Sequence, residues 1–227
     1  TRIFPEVLWR ENVRTSYTWV EQQHYPPSLN GEGRLNPTQN LVDQYEMKDT
    51  GLKPEEAGSG YDMSKPYEGR DPRFYASILY DGAEWKGVTI NHRPGGDAGI
   101  ATNGDFTRTG YSMKKFIQED RNHNLISTQH WIFIRLAEVY LNYAEALIEA
   151  GQDLDLATAA INKVRERADM PFIPIGSQSE LRERVRHERR IELAFEEHRF
   201  WDIRRWRIAG NPEVLDIYKM DMDSNGN

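Results

Sequence analysis

The sequence contains no cysteine. It therefore has neither a disulfide framework nor a thiol site, and cysteine usage leaves the compartment open. No apolar run reaches the roughly 20 residues that a membrane-spanning helix needs. The chain does not begin with Met, and nothing near its start resembles a secretory signal. Positive charge is also in short supply. Lys and Arg number 29 against 36 Asp and Glu, a net charge of −7, with an isoelectric point near 5.5. That balance argues against a surface built for nucleic acid. A Gly-rich phosphate loop and a Ser/His/Asp arrangement are likewise missing. His187-Glu188 opens like a zincin helix, but Ile191 stands where the second His would be, so that metal site is excluded.

What is present is organised around Trp131 to Trp206. In the first helical stretch Leu136, Val139, Tyr140, Tyr143, Ala144, Leu147 and Ile148 recur at the spacing of one apolar helix face. Glu138, Asn142, Glu145 and Glu149 fall on the other side and read mostly as a solvated face, with Glu145 able to meet Arg165 or Arg167. Gly151 suits a left-handed helix end, and Asp155 is placed to cap the next helix. That helix repeats the pattern with Ala157, Ala160, Ile161, Val164 and Ala168, and Pro171 ends it. The small residues at 157 and 160 predict a closely packed αα-hairpin.

The third helix opens with Ser177-Gln178-Ser179-Glu180, a capping-box pattern. Leu181, Val185 and Phe195 share a face, with Ile191 at its edge and Glu188 and Glu192 in the middle. Carboxylates inside an apolar stripe are costly unless paired. Arg135, Arg165, Arg167, Arg199, Arg204 and Arg205 are the candidate partners, which predicts a buried Glu/Arg network joining the helices. Glu188 and Glu192 could also be imagined as a glycosidase acid/base pair. One helix face cannot easily flank a glycosidic bond from both sides, so the structural reading is favoured.

These same residues carry a resemblance. Arg135-Leu-Ala-Glu138-Val-Tyr-Leu-Asn-Tyr-Ala144-Glu145-Ala146, Asn162-x-Val164-Arg165-x-Arg167, Glu188-Arg189-Arg190-x-Glu192-Leu-Ala-Phe195-Glu196 and Arg199-x-x-Asp202-x-x-Arg205-Trp206 follow in fixed order. Together they resemble the C-terminal signature of the SusD/RagB family. The resemblance implies a mainly α fold, a tetratricopeptide-like αα-hairpin superhelix with a loop-rich region and short β-hairpins. It also implies a non-catalytic, cofactor-free lipoprotein of the outer membrane, at the cell surface. Such proteins bind a glycan or other nutrient and deliver it to a TonB-dependent, SusC-like transporter. Family members are about twice as long and begin with a lipidated cysteine. The chain is thus expected to be the later half of one, its lipid anchor lying outside it.

Residues 1–127 read differently from 128–227, although one fused globular unit is expected. The first part is rich in Gly, Pro, Asp and Asn. Glu6 to Val13 reads as a strand, Pro37 to Met47 as helix, and Thr109 to Ile117 as strand. Gly95 to Gly104 reads as a long flexible segment. Asp81-Gly82 is a hairpin-turn signal. Gly31 to Asp49, Asp71 to Trp85 and Thr109 to Phe116 are also similar to the family, less specifically. Asp221, Asp223, Asn225 and Gly226 match only the start of a calcium loop and read as solvated chain.

The six Trp, eleven Tyr and eight Phe are many for so polar a chain. They read as packing anchors or as stacking platforms for sugar rings. The ligand is expected on the loop-rich side, at Trp85 projecting from a hairpin tip, with His92 and Arg93 to bond hydroxyls. Tyr25 with His24 is expected to form a second wall, and Tyr17 and Trp19 belong to the same aromatic stretch. A protein-binding helical-repeat scaffold is the alternative function. A pure scaffold would repeat helices at about 34 residues, which residues 1–127 do not.

Overall fold

The computed structural model describes residues 5–11, 22–99, 107–119 and 131–223. Val13, Tyr17, Trp19, Gly104, Asn225 and Gly226 lie outside them. In chain order the elements are β1 (Val7–Arg10), a 3-10 turn (Pro27–Leu29), α1 (Gln39–Val42), α2 (Pro72–Ser77), β2 (Ile78–Leu79), β3 (Glu84–Trp85), β4 (Val88–Thr89), β5 (Ser112–Met113), β6 (Ile132–Arg135), α3 (Leu136–Ala150), α4 (Leu154–Arg167), α5 (Gln178–Glu192), α6 (His198–Arg205) and α7 (Pro212–Leu215). The fold is mainly helical.

Contacts divide the chain into two discontinuous units, 1–11, 43–73 and 131–209 in the first, 12–42, 74–130 and 210–227 in the second. This grouping crosses the boundary expected between 127 and 128. Residues 43–73 join the helices because their charges pair with helical ones, as described below.

In the first unit α3 and α4 form the expected αα-hairpin, with α5 packed on both. Gly151 closes α3 in the left-handed region (φ 66°), its N–H donating to the Ile148 and Leu147 carbonyls. Asp155 does not cap α4. Helix α4 starts one residue earlier, behind a left-handed Asp153, and Asp155 sits in its first turn, where the helix dipole favours a carboxylate. Asn162 brackets the backbone of Ile173 from both sides, donating to its carbonyl and accepting from its N–H. Ser177 and Glu180 form the full capping box at the start of α5. Leu141, Ala144, Ile148, Ala157, Ile161, Val164, Leu181 and Val185 are the centre of the core.

The buried face of α3 is rotated from the expected one. Ala137, Leu141, Ala144 and Ile148 are buried, while Val139 and Tyr143 are 40% and 48% exposed. The apolar arc of α3 is wider than α4 and α5 can cover. Val139, Tyr143, Ala146 and Ala150, on one line of the helix, therefore face outward. The ribbon of β1 and β6, antiparallel and bulged, also exposes Trp9 and Phe133, whose rings lie 4.7 Å apart.

Segment 43–73 is a loop with its feet tied together. Met47 bridges to Arg70, Lys48 N–H donates to the Gly69 carbonyl (2.8 Å) and Asp71 N–H to the Glu46 carbonyl (2.8 Å). The buried Arg70 donates to the carbonyls of Pro66 and Tyr45, both at 2.9 Å.

In the second unit the expected helix over 37–47 shortens to α1 and the expected strand over 109–117 to β5. Pro72–Ser77 is helical as α2 before β2 pairs with β5. Asp81-Gly82 is not the hairpin tip. It lies in a turn closed by the Ala83 N–H and the Tyr80 carbonyl (3.1 Å). The β3–β4 tip is Lys86-Gly87, both at positive φ (53° and 77°), the pairing a tight two-residue hairpin requires. Tyr25, Leu79, Ala83, Trp85, Ile90, Ala98 and Ile117 form this unit's core. Gly31 must be glycine, since a Cβ there would overlap the Tyr25 backbone. The tail returns to the same unit, with Gln39 N–H on the Tyr218 carbonyl and Met220 N–H on the Thr109 carbonyl, both at 2.9 Å.

Candidate functional site

Glu188 and Glu192, one helical turn apart on α5, are 1% and 3% exposed. Both are held by arginines. Arg165 donates to Glu188 (3.0 Å) and to Glu46 (2.7 Å). Arg135 and Arg167 each donate to one Glu192 oxygen at 2.6 Å. Arg73 joins the two carboxylates, bonding Glu188 and reaching Glu192 at 3.1 Å, while its other nitrogens grip Asp71. Arg135 also forks onto Glu196, with two bonds of 2.7 Å. Burial pushes both carboxyls up, but the guanidiniums outweigh it. Arg73 and Arg165 hold Glu188 below its ordinary value, and Arg135, Arg73 and Arg167 hold Glu192 at about 2. His187 is largely covered and neutral, pushed down to about 4 by desolvation, and its Nε2 donates to the Gln44 carbonyl (2.8 Å). At Glu46 burial prevails over Arg165, and its carboxyl is raised.

The network is therefore the one the α5 pattern implies, with Arg73, Asp71 and Glu46 as members that pattern could not supply. They come from segment 43–73, far along the chain, and only Asp71 and Arg73 carried a signal, as charges flanking Pro72. Arg205 is not part of it. It pairs with Glu145 and Asp202 in a second buried cluster. Arg189 joins that cluster by bonding Asp202 and, at 2.6 Å, Asn142. Glu145 is accordingly buried, not solvated, and its partners are Arg205 and the Trp206 indole N–H rather than Arg165 or Arg167. A glycosidase needs one carboxylic acid kept protonated and an open cleft between two carboxyls. Glu188 and Glu192 offer neither.

The residues expected to hold a ligand lie in the second unit, and most are core. Tyr25 is 1% exposed, Trp85 4% and His92 0%. Tyr25 and Trp85 rings pack against each other at 5.5 Å, with the Lys86 ammonium over both. Trp85 is the last residue of β3, before the tip, so its side chain turns inward. His92 Nε2 lies 2.9 Å from the Ser112 hydroxyl, and burial pushes its imidazole down to about 4. Arg93 is half-exposed but pairs with Asp81 (2.8 Å). His24 is half-buried beside Tyr25, and burial lowers its pKa. Tyr25 and Trp85 share one core and His92 is buried on Ser112, so none of the three stands as an exposed sugar platform.

A half-open recess lies in the first unit, where α5 gives way to α6. It encloses about 400 Å³ and is lined by Leu193, Phe195, Glu197, Arg199, Phe200 and Trp201. The backbone shapes it, because Phe195 and Glu197 both stand in the left-handed region at φ 65°. These turns end α5 at Glu192, so Phe195 leaves the helix face on which its spacing placed it. Phe200 and Trp201 meet edge to face at 5.0 Å and are 52% and 66% exposed. The readable signal was Phe200-Trp201 itself, since two adjacent aromatics on a helix cannot both face its core.

Comparison with known proteins bears on all of this. The SusD family model matches residues 5–227. A SusD-like protein from Formosa agariphila is 39% identical over 96 residues, covering 39% of this chain and 19% of that protein. A solved SusD-like protein from Bacteroides fragilis has a TM-score of 0.78 and 31% identity, over 95% of this chain and 48% of that one. A SusD-like carbohydrate binding protein from Bacteroides fragilis has a TM-score of 0.77 and 33% identity, over 89% of this chain and 42% of that one. This chain thus spans less than half the length of either solved relative. The ordered arginine and glutamate motifs, the helical hairpin they lock together and a match running nearly end to end lead to one conclusion: the chain belongs to the SusD family.

Proposed function

We propose that this chain captures a glycan or related nutrient at the outer-membrane surface and passes it to a TonB-dependent, SusC-like transporter, without catalysing a reaction on it. The observation that carries the reading is family membership together with the relative described as a carbohydrate binding protein, at 33% identity over 89% of this chain. The geometry agrees with binding rather than turnover, because the carboxylates of α5 are consumed by arginines. A glycan array probed with the full chain tests it. Retention of one glycan class, with no new reducing ends released on incubation, is the expected result. Hydrolysis that disappears in a folded Glu188→Gln variant would overturn the non-catalytic part.

One observation favours the second reading, a scaffold that binds protein. The outward line of α3, with Val139 and Tyr143 exposed, lies in the same unit as exposed Trp9 and Phe133, and grouped exposed apolar residues mark protein contacts. Cross-linking to a co-expressed transporter, weakened by Tyr143→Glu, is the measurement that supports this role alongside glycan capture.

A further inference from the structure

We infer that Glu46 is kept as a neutral carboxylic acid whose Oε1–H is aimed at Nδ1 of a neutral His187, so that one proton clasps segment 43–73 to α5. Donor and acceptor chemistry leads there. The Gln44 carbonyl can only accept, so the His187 Nε2 that lies 2.8 Å from it carries a hydrogen. In an uncharged imidazole the other nitrogen, Nδ1, is then a bare acceptor. It faces Glu46 Oε1 at 3.6 Å. Glu46 is 1% exposed, and that oxygen has no hydrogen-bond partner. Two lone pairs turned toward each other out of water repel, and a buried acceptor without a donor is costly. A single proton on Oε1 removes both penalties. Closing the gap by about 0.8 Å then makes an ordinary hydrogen bond.

The charges around the pair decide where the proton rests. On α4, Arg165 bonds the other Glu46 oxygen at 2.7 Å, but it also serves Glu188 on α5. Glu188 has Arg73 as well, so Glu46 is the poorer of the two in nearby positive charge. Burial raises the Glu46 carboxyl against the pull of Arg165 and Arg184, and repulsion from Glu188 adds to the rise. Arg184, also on α5, lies 3.6 Å from Oε1 with its side chain 38% exposed, where water screens it. His187 stays uncharged because desolvation disfavours the imidazolium. Lys53 and Arg73, of the segment itself, act the same way, while Gln44 and Glu188 oppose them. The proton is therefore left on the oxygen.

Such a clasp closes in one window of pH. The Glu46 carboxyl titrates higher in the folded chain than its ordinary 4.5. Its contribution is complete below about 4.5 and is lost as pH rises through the folded value. His187 titrates lower when folded, about 4 against 6.5, so its contribution is lost as pH falls through 4. Between these limits both ring nitrogens hold the segment, one through the Gln44 carbonyl and one through the Glu46 acid. Outside them the near foot of the loop is loosened, while Arg70 still holds Tyr45 and Pro66.

Measurements on the full chain test this. In nitrogen-15 histidine spectra at about pH 5, with His187 assigned by His187→Gln, a neutral ring with its hydrogen on Nε2 is expected. Infrared difference spectra should show the C=O stretch of one protonated carboxylic acid in the unaltered chain and its loss in Glu46→Gln. Hydrogen exchange reads the clasp at the Lys48 and Asp71 amides, which bond the Gly69 and Glu46 carbonyls. Glu46→Gln puts an amide N–H where the acid O–H stood and keeps a carbonyl for Arg165. Its protection factors should stay within about twofold, while Glu46→Ala lowers them about tenfold, the scale of a lost buried hydrogen bond. Raising the pH from about 5 to about 8 should lower protection in the unaltered chain and leave Glu46→Gln unmoved. Glutamine as damaging as alanine would show that a Glu46 carboxylate, held by Arg165 and Arg184, does the fastening, and would overturn the proposal. A His187 ring with hydrogen on both nitrogens at about pH 5, or no carboxylic-acid stretch to lose, would overturn it equally.

Discussion

Replacing Glu192 tests the central network quantitatively. Its carboxylate is 3% exposed and accepts from Arg135, Arg167 and Arg73. In the folded chain it titrates at about 2, against 4.5 ordinarily. At roughly 1.4 kcal/mol per pH unit, that gap corresponds to about 3 kcal/mol of stability. The folded value lies below the unfolded one, so this stability is fully present above about 4.5 and is lost as pH falls toward 2. Deleting the side chain strands its partners only in part. Arg135 keeps Glu196, Arg73 keeps Glu188 and Asp71, and the Arg167 side chain is 48% exposed and turns to water. Glu192→Ala therefore sits at the lower end of the ~3–5 kcal/mol seen when a buried pair is broken. Because the chain divides into two units, hydrogen exchange of the α4 and α5 amides is a better readout than whole-chain melting. At pH 7 their opening equilibrium should rise about a hundredfold in Glu192→Ala, and the difference should shrink steadily below pH 4. Exchange equal to that of the unaltered chain at pH 7 would show that the network contributes nothing.

Glu197→Gly should raise the melting temperature of the first unit, because relief of about 1–2 kcal/mol of left-handed strain exceeds the ~0.5–1 kcal/mol glycine loses in chain entropy. Trp85→Ala should destabilise the second unit by about 3–5 kcal/mol, as for other buried aromatics, measured by urea unfolding. Unchanged stability with lost glycan affinity would return Trp85 to the ligand. His92, at about 4 when folded against 6.5 ordinarily, binds its proton more readily in the unfolded chain. Its contribution is complete above 6.5 and is lost as pH falls through 4, and His92→Asn should flatten that part of the second unit's pH–stability curve. An NMR titration placing the His92 imidazole near 6.5 would contradict this.

The helical third of the chain was largely readable, for local reasons. A capping box, a left-handed glycine and two carboxylates in an apolar stripe each announce themselves within a few residues, and each is found in place. What was lost is what depends on distant partners. The α5 pattern demanded cations, yet nothing local shows that Arg73, more than a hundred positions earlier, supplies the central one. The buried face of α3 was misjudged because periodicity reports an apolar arc and not which part of it a neighbour covers. Trp85 was placed at a tip because Asp81-Gly82 looks like a hairpin turn, while Lys86-Gly87, with a lysine at positive φ, does not advertise itself. Inward or outward orientation changes with a shift of one strand residue, so the candidate ligand residues were the least secure. The recess escaped notice for a related reason. Phe195 continues the helical spacing perfectly well, and only the strained turn at 195–197 removes it from the helix.

The tied feet of segment 43–73 have an evolutionary consequence. The backbone bonds at Met47, Lys48 and Asp71, with the charges of Glu46, Asp71 and Arg73, anchor the loop from below. The exposed tip at residues 62 to 65 adds little to that anchorage, whereas Ser59, Tyr61 and Pro66 are tied to Thr50 and to Arg70. Closing a loop twice as long costs only about 0.6 kcal/mol more. Insertions or foreign epitopes at residues 62 to 65 should then cost little folding stability. Such a loop is a place where a lineage can alter what its surface presents while the helices beneath stay the same.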